Sequence, residues 1–485
     1  MGIVARQTIY NLLSIGLAFL LGAINTLYMY PNYMGSKLQG VIIALLAYSN
    51  LIQPFISFGI QHAIIKFYSS FKSKKEKDAL LIFSIWFPLI ILVLVILFLF
   101  YFSSSIIEDI SSKEPLLKTY AFVIFLVAIS TSYFEIFFSW LRVHLTSIFG
   151  NFLKEFYPRF LTFTLLLLYA LDILSFELFV YALLFGYYFR LFIIIIYSLM
   201  IYTPKISFCF PPVLNKIVFY SFLIFLSGAA SSIILDIDKS MIASIITAED
   251  VAYYSVALFM AAVIEAPGRA MFQITSPLVS KAINSDDKLY LKNLLIKSSK
   301  NLLIVSGGLF LLINLNLTDF YDFVNQPGYS AAIGVVGIVS IGKLYSMSIG
   351  CLNNIISNSK YYPFIFWFSI LSAIIAIVLN IILIPQYGII GAAYATLFVI
   401  ILINSLKLIL VAVNFKIYPY TFQTVKIVFV IIIVYMILNH LELEFDSISN
   451  IILRSILIVL IYSVLTYLLR LTREINNQVK KLLNF

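Results

Sequence analysis

The chain has 485 residues, of which 62% are hydrophobic and 11% charged, with a formal net charge of +10. Soluble domains run at about half apolar and a quarter charged, so a soluble enzyme, a disordered chain and a soluble domain on one anchor are excluded. A membrane-crossing helix needs about 20 apolar residues, and 14 of them would use roughly 280 positions, close to the apolar content present. The expectation is an all-α polytopic membrane protein with little outside the bilayer.

In chain order, Met1 to Arg6 lacks the pattern of a cleavable signal, so the first span is expected to persist. Gln7 to Ser36, Leu38 to Ile65 and Ala79 to Ser105 hold no Lys, Arg, Asp or Glu and mark spans 1, 2 and 3. Spans 4 to 10 centre near residues 130, 165, 190, 230, 262, 310 and 341. The uncharged stretch from Tyr361 to Leu406 is too long for one crossing, and Pro385-Gln386-Tyr387-Gly388 divides it into spans 11 and 12. Spans 13 and 14 centre near residues 431 and 461, bringing the count to about 14 transmembrane helices.

Charge placement sets the orientation. With both termini cytoplasmic, 24 of the 32 Lys and Arg residues fall inside and 4 outside, as the positive-inside rule requires. The remaining cations lie at membrane depth. Outer loops collect acids such as Glu108, Asp109, Asp172, Asp250 and Glu442.

Shifting the chain by 213 residues superposes span 1 on span 7 and span 2 on span 8, with Pro54 on Pro267, Ala18 on Ser231 and Lys75 on Lys288. An even number of helices separates the copies, so the repeats are parallel, with a substrate path expected between two lobes. The expected divisions are a six-helix lobe at 1–204, a second at 205–415, and two further helices with a cytoplasmic tail at 416–485. The repeat also places Asp238 over Asn25, so span 7 should continue unbroken to about Ile246.

Eight ionisable residues then lie at membrane depth: Glu135, Arg190, Asp236, Asp238, Lys239, Glu265, Arg269 and Lys343. Each uncompensated charge there costs about 2.5 to 3.5 kcal/mol on insertion scales, so each should face a partner or a wet cavity. Glu265 and Arg269 are spaced for pairing at i, i+4, and Asp236 and Lys239 at i, i+3. Arg190 and Lys343 have no partner within reach on their own helices and are the candidates for attracting an anion; Asn25 and Asn380 join them as substrate-binding candidates. Glu135, Asp236, Asp238, Lys239, Glu265 and Arg269 are the gating or coupling candidates, Glu135 through a proton or through pairing with Arg142. Cys209 and Cys351 match no disulfide or metal spacing, His62, His144 and His440 form no catalytic cluster, and no Walker loop is present. No cofactor, metal or nucleic acid is expected.

The segment from Asn380 through Pro385-Gln386-Tyr387-Gly388 to Thr396 resembles the span 11–12 hairpin of the multidrug/oligosaccharidyl-lipid/polysaccharide exporter superfamily. Asp238 to Ser255 is similar to its span 7–8 junction, and Pro31 to Gly40 to its span 1–2 link. Within that superfamily the chain resembles the polysaccharide or O-antigen flippases. The resemblance implies a pair of six-helix, MATE-like lobes, alternating access and export of polyprenyl-diphosphate-linked oligosaccharide across the bacterial inner membrane. It also implies H+ or Na+ as a coupling ion and polysaccharide polymerases as partners. The superfamily's lipid II flippases carry arginines in helices 1 and 2; this chain has none there after Arg6, which favours capsule, O-antigen or exopolysaccharide units. A drug exporter of the same fold is the alternative. A membrane-embedded glycan polymerase is disfavoured because no large external loop is present.

Overall fold

The computed structural model describes residues 16–111, 114–144, 146–205, 210–326, 328–441, 443–469 and 471, with the side chains of 94–111, 147, 227, 229–235, 270 and 273 left out. Met1 to Arg6, Cys209, Glu442, Arg470, Arg473, Lys480 and Lys481 lie outside the described residues, as do the side chains of Glu108, Asp109 and Ser231. Among the described residues all regular structure is helical, and nine helical stretches are long and apolar enough to cross a bilayer. Contacts group the chain into two compact units, Met1–Ala252 and Tyr253–Phe485.

In the first unit, the stretch Gly16–Ser57 is of double length. Its middle, Ile24–Met34, is wound as a π-helix containing Pro31, and Gly35 breaks the line at φ 76° before Gly35–Ser57 begins. The second break follows Pro54. Phe58 and Gly59 both adopt left-handed φ, and a new helix, Ile60–Phe67, starts one turn on. Gly59 suits this place twice, because its φ is +73° and a Cβ there would sit 2.4 Å from the Ser221 carbonyl oxygen. Phe58 stacks on Phe225 with ring centroids 4.8 Å apart, fixing the break against the Leu214–Ile245 helix.

Ala121–Val143 is the buried column of this unit: Phe134, Ile136, Phe137, Phe138, Trp140 and Leu141 are all in its core. A helix apolar on every side belongs at the centre of a bundle. Phe176–Ile201 has two faces instead. Phe185, Phe189, Phe192 and Met200 are exposed, whereas Leu183, Gly186, Arg190, Ile194 and Ser198 are buried. The exposed face is apolar because its solvent is lipid, and Arg190 belongs to the protein-facing stripe. The expected fifth span falls in the helix Tyr157–Ala170, with Pro158 in its first turn, and a short helix, Ser147–Glu155, precedes it. The expected continuous seventh span is present as Leu214–Ile245.

The helix Ala248–Ala262 begins in the first unit and ends in the second, where it tightens into a 3-10 turn at Val263–Glu265 and resumes as Ala266–Asn284 with Pro267 in its first turn. Its start, Ala248, is the position that the repeat aligns with Gly35, where the corresponding helix starts. Lys288–Asn314, Ile333–Ser348 and the short Leu352–Ser357 follow. The long stretch Pro363–Phe415 is two helices divided at Gly388, which has φ 59° and ψ −140°, so the expected break is present. The last helices, Phe422–Asn439 and Ser447–Leu468, share an apolar core with Lys288–Asn314, formed by Leu303, Ile304, Leu311, Ile427, Ile431 and Ile458 among others.

Candidate functional site

Polar side chains flank the break after Pro54 on both sides. Asn50 and Gln53 precede the Pro54 break, and Gln61 and His62 follow it. All four line one cavity of about 420 Å³ with Thr131, Glu135, Lys154, Tyr187, Arg190 and Asp236. That volume is in the range of small-molecule sites, although its lining is more polar than usual.

Arg190 is 4% exposed. Its guanidinium carbon lies 4.3 Å from the Phe134 ring centroid and 4.8 Å from that of Tyr187. One Nη donates to Thr131 Oγ1 at 3.4 Å, and Nε has no acceptor among the described residues. Two aromatic faces therefore hold the cation without neutralising it. Lys154 is matched: its Nζ lies 2.7 Å from Glu135 Oε1. Asp236 carries two partners, Lys239 Nζ at 2.7 Å on Oδ1 and Asn50 Nδ2 at 3.1 Å on Oδ2.

The structure thus brings Glu135, Arg190, Asp236 and Lys239 together. Asn25, in the π-helix, is buried and donates to the Arg159 carbonyl at 2.8 Å, tying span 1 to the Tyr157–Ala170 helix. Asp238 is buried on the helix that carries Asp236, and Asn380 is fully buried in the second unit. Two expected pairings are corrected. Glu265 accepts from Lys343 Nζ at 2.9 Å and not from Arg269, which is exposed on the following helix. Glu135 pairs with Lys154 instead of Arg142. Both carboxylates therefore found cations on neighbouring helices, which spacing along one helix does not reveal.

Sequence reasoning confined to ionisable residues missed Asn50, Gln53, Gln61, Thr131 and Tyr187, and it left Lys154 and His62 outside the site. The helical spacing of Asn50, Gln53 and Gln61 in an otherwise apolar stretch was the available signal. The second histidine, His144, lies outside the cavity. Its ring accepts or donates to Tyr68 Oη at 2.9 Å and stacks on Tyr202. Tyr202 in turn donates to Asp78 at 2.5 Å, and burial together with that carboxylate pushes its hydroxyl pKa above the ordinary value.

A match to the family of polysaccharide biosynthesis proteins covers residues 4–266, more than half of the chain and all of the cavity lining. The chain belongs to that family. Among solved structures, it is similar to one described as the lipid II flippase MurJ in an inward closed conformation. The identity is 19%, with 96% of this chain and 99% of that chain covered at a TM-score of 0.71. It is also similar to an inward-facing multidrug resistance MATE family transporter of the MOP superfamily, at 14% identity, 84% and 95% coverage and a TM-score of 0.60. These likenesses establish the fold: the chain shares the helical architecture of those two structures. No curated protein matches the sequence.

Proposed function

We propose that this protein is a flippase that moves polyprenyl-diphosphate-linked oligosaccharide across the bacterial inner membrane for surface polysaccharide synthesis. The observation that carries the reading is Arg190: a nearly enclosed guanidinium, held by rings in place of a counterion, on a polar cavity within membrane-spanning helices. A diphosphate needs such a group, because guanidinium offers paired donors to phosphoryl oxygens and stays charged when desolvated. The family match and the fold shared with a lipid II flippase support the same reading. Asn50, Gln53, Gln61 and Thr131 supply hydroxyl and amide groups suited to sugar. Lys343 reaches an anion only by leaving Glu265, so its part is the later one, during exchange between conformations.

Alternating access between the lobes moves the headgroup past the hydrocarbon core while the lipid tail stays in the bilayer. Asp236, Asp238, Lys239, Glu135, Glu265 and Arg269 act in gating, and the coupling ion, H+ or Na+, is taken up by the carboxylates among them. Capsule, O-antigen and exopolysaccharide units are the substrate class, delivered to polysaccharide polymerases.

The alternative, a cation-coupled drug exporter, draws on Glu135 and Asp236, two carboxylates on the same cavity. The deciding experiment expresses wild type and Arg190→Gln in a strain lacking its polysaccharide flippase. Restored surface glycan in the wild type and none in Arg190→Gln supports the flippase reading. Drug resistance without glycan export overturns it.

A further inference from the structure

The cavity holds two cations in opposite states. Arg190 is enclosed and makes no ion pair among the described residues. Lys154, whose side chain is 41% exposed, is engaged by Glu135, whose side chain is 19% exposed. The lysine stands near the end of the short Ser147–Glu155 helix, which packs against Ala121–Val143, the helix of Glu135. Near Glu135 stand two cations, Lys154 and Arg190, together with His62, on which Arg142 also acts; the other carboxylate on the cavity, Asp236, is already matched by Lys239.

We propose that Glu135 is a built-in placeholder for a phosphoryl group: it occupies Lys154 in the empty cavity and yields it to an incoming diphosphate that also engages Arg190. This rests on the flippase reading and adds the identity of the second anion-binding residue and the group that guards it. The physical argument is one of matching. Glu135 offers one carboxylate to one cation, whereas a diphosphate offers two phosphoryl groups to two cations lining the same cavity, and charge-assisted bonds to both outweigh one. A partly exposed ion pair is weak enough to exchange. Arg190 cannot provide the gate itself, since it has no carboxylate to surrender. The placeholder also keeps Lys154 from being left uncompensated within the bundle when no substrate is bound.

The test measures binding to the full-length protein in lipid nanodiscs, with polyprenyl diphosphate, inorganic pyrophosphate and polyprenol as probes. Glu135→Gln keeps the shape of the side chain and removes the competing charge. It should tighten both diphosphates by about tenfold, the worth of one charge-assisted bond, and leave polyprenol unchanged. The gain should vanish in a Lys154→Gln background, and Glu135→Asp should give a smaller gain should the amide variant fail to fold. Tighter binding of the lipid than of pyrophosphate identifies the source as a lipid headgroup; equal binding identifies a free phosphate. Unchanged affinity in Glu135→Gln, or the same gain on top of Lys154→Gln, overturns the placeholder. Wild-type protein that binds no polyprenyl diphosphate overturns the flippase reading instead.

Discussion

Lys343 and Glu265 form a cross-helix ion pair, with Nζ 2.9 Å from Oε2 and side chains 22% and 27% exposed. The pair links the 3-10 turn Val263–Glu265 to the helix Ile333–Ser348. Removing one member leaves the other charge poorly compensated, so Lys343→Gln should cost about 1 to 3 kcal/mol of stability. The double variant Lys343→Gln, Glu265→Gln should recover most of it. Thermal unfolding in detergent checks both, and a double variant no more stable than the single one would show that the pair is not the tie.

Arg190 separates function from stability. Its burial without a carboxylate costs folding free energy, so Arg190→Met should raise or preserve the unfolding temperature while abolishing glycan export. Arg190→Lys keeps the charge but loses the planar stack between Phe134 and Tyr187 and the paired donors. Export should fall at least about tenfold, the effect of losing roughly one charge-assisted bond. The readouts are surface glycan in complemented cells and melting of the purified protein.

Gly40 tolerates no side chain. A Cβ there would lie 1.6 Å from the Ala248 carbonyl oxygen, closer than any non-bonded contact allows, and the obstacle is backbone. Gly40→Ala should therefore force the two helices apart. Gly59→Ala meets the Ser221 carbonyl at 2.4 Å and a left-handed φ as well. Each should cost about 1 to 3 kcal/mol, seen as reduced folded yield by fluorescence-detected size exclusion. Gly308→Ala, where the nearest atom is 3.4 Å away on Tyr462, should be mild by the same measure.

Arg454 holds the last helix. It donates to Asp319 and to the Leu315 carbonyl, the latter at 3.0 Å, while Asn450 donates to Asp319 at 3.0 Å. Arg454 and Asp319 are 11% and 13% exposed. Arg454→Ala leaves Asp319 buried without its cation and should cost about 3 kcal/mol. Protease accessibility of Ser447–Leu468 should rise, and Arg454→Lys should restore part of the protection.

Composition and hydrophobic runs determined that this chain is a helical membrane protein, because the cost of bare backbone in lipid leaves few other structures. Self-comparison gave the uninterrupted helix through Asp236, and local chemistry gave the Gly388 break.

Which charges meet was decided by tertiary structure alone. Lys154 reads as a cytoplasmic loop lysine until Ser147–Glu155 packs against Ala121–Val143 and brings it to Glu135. Lys343 reads as unmatched until the 3-10 turn presents Glu265 to it. Charges at membrane depth seek any partner in reach, and the nearest in space lies across a helix interface whose rotation the sequence does not record. The composition therefore determines how many charges must be matched, and packing decides that Arg190 is held by aromatic rings rather than by a carboxylate.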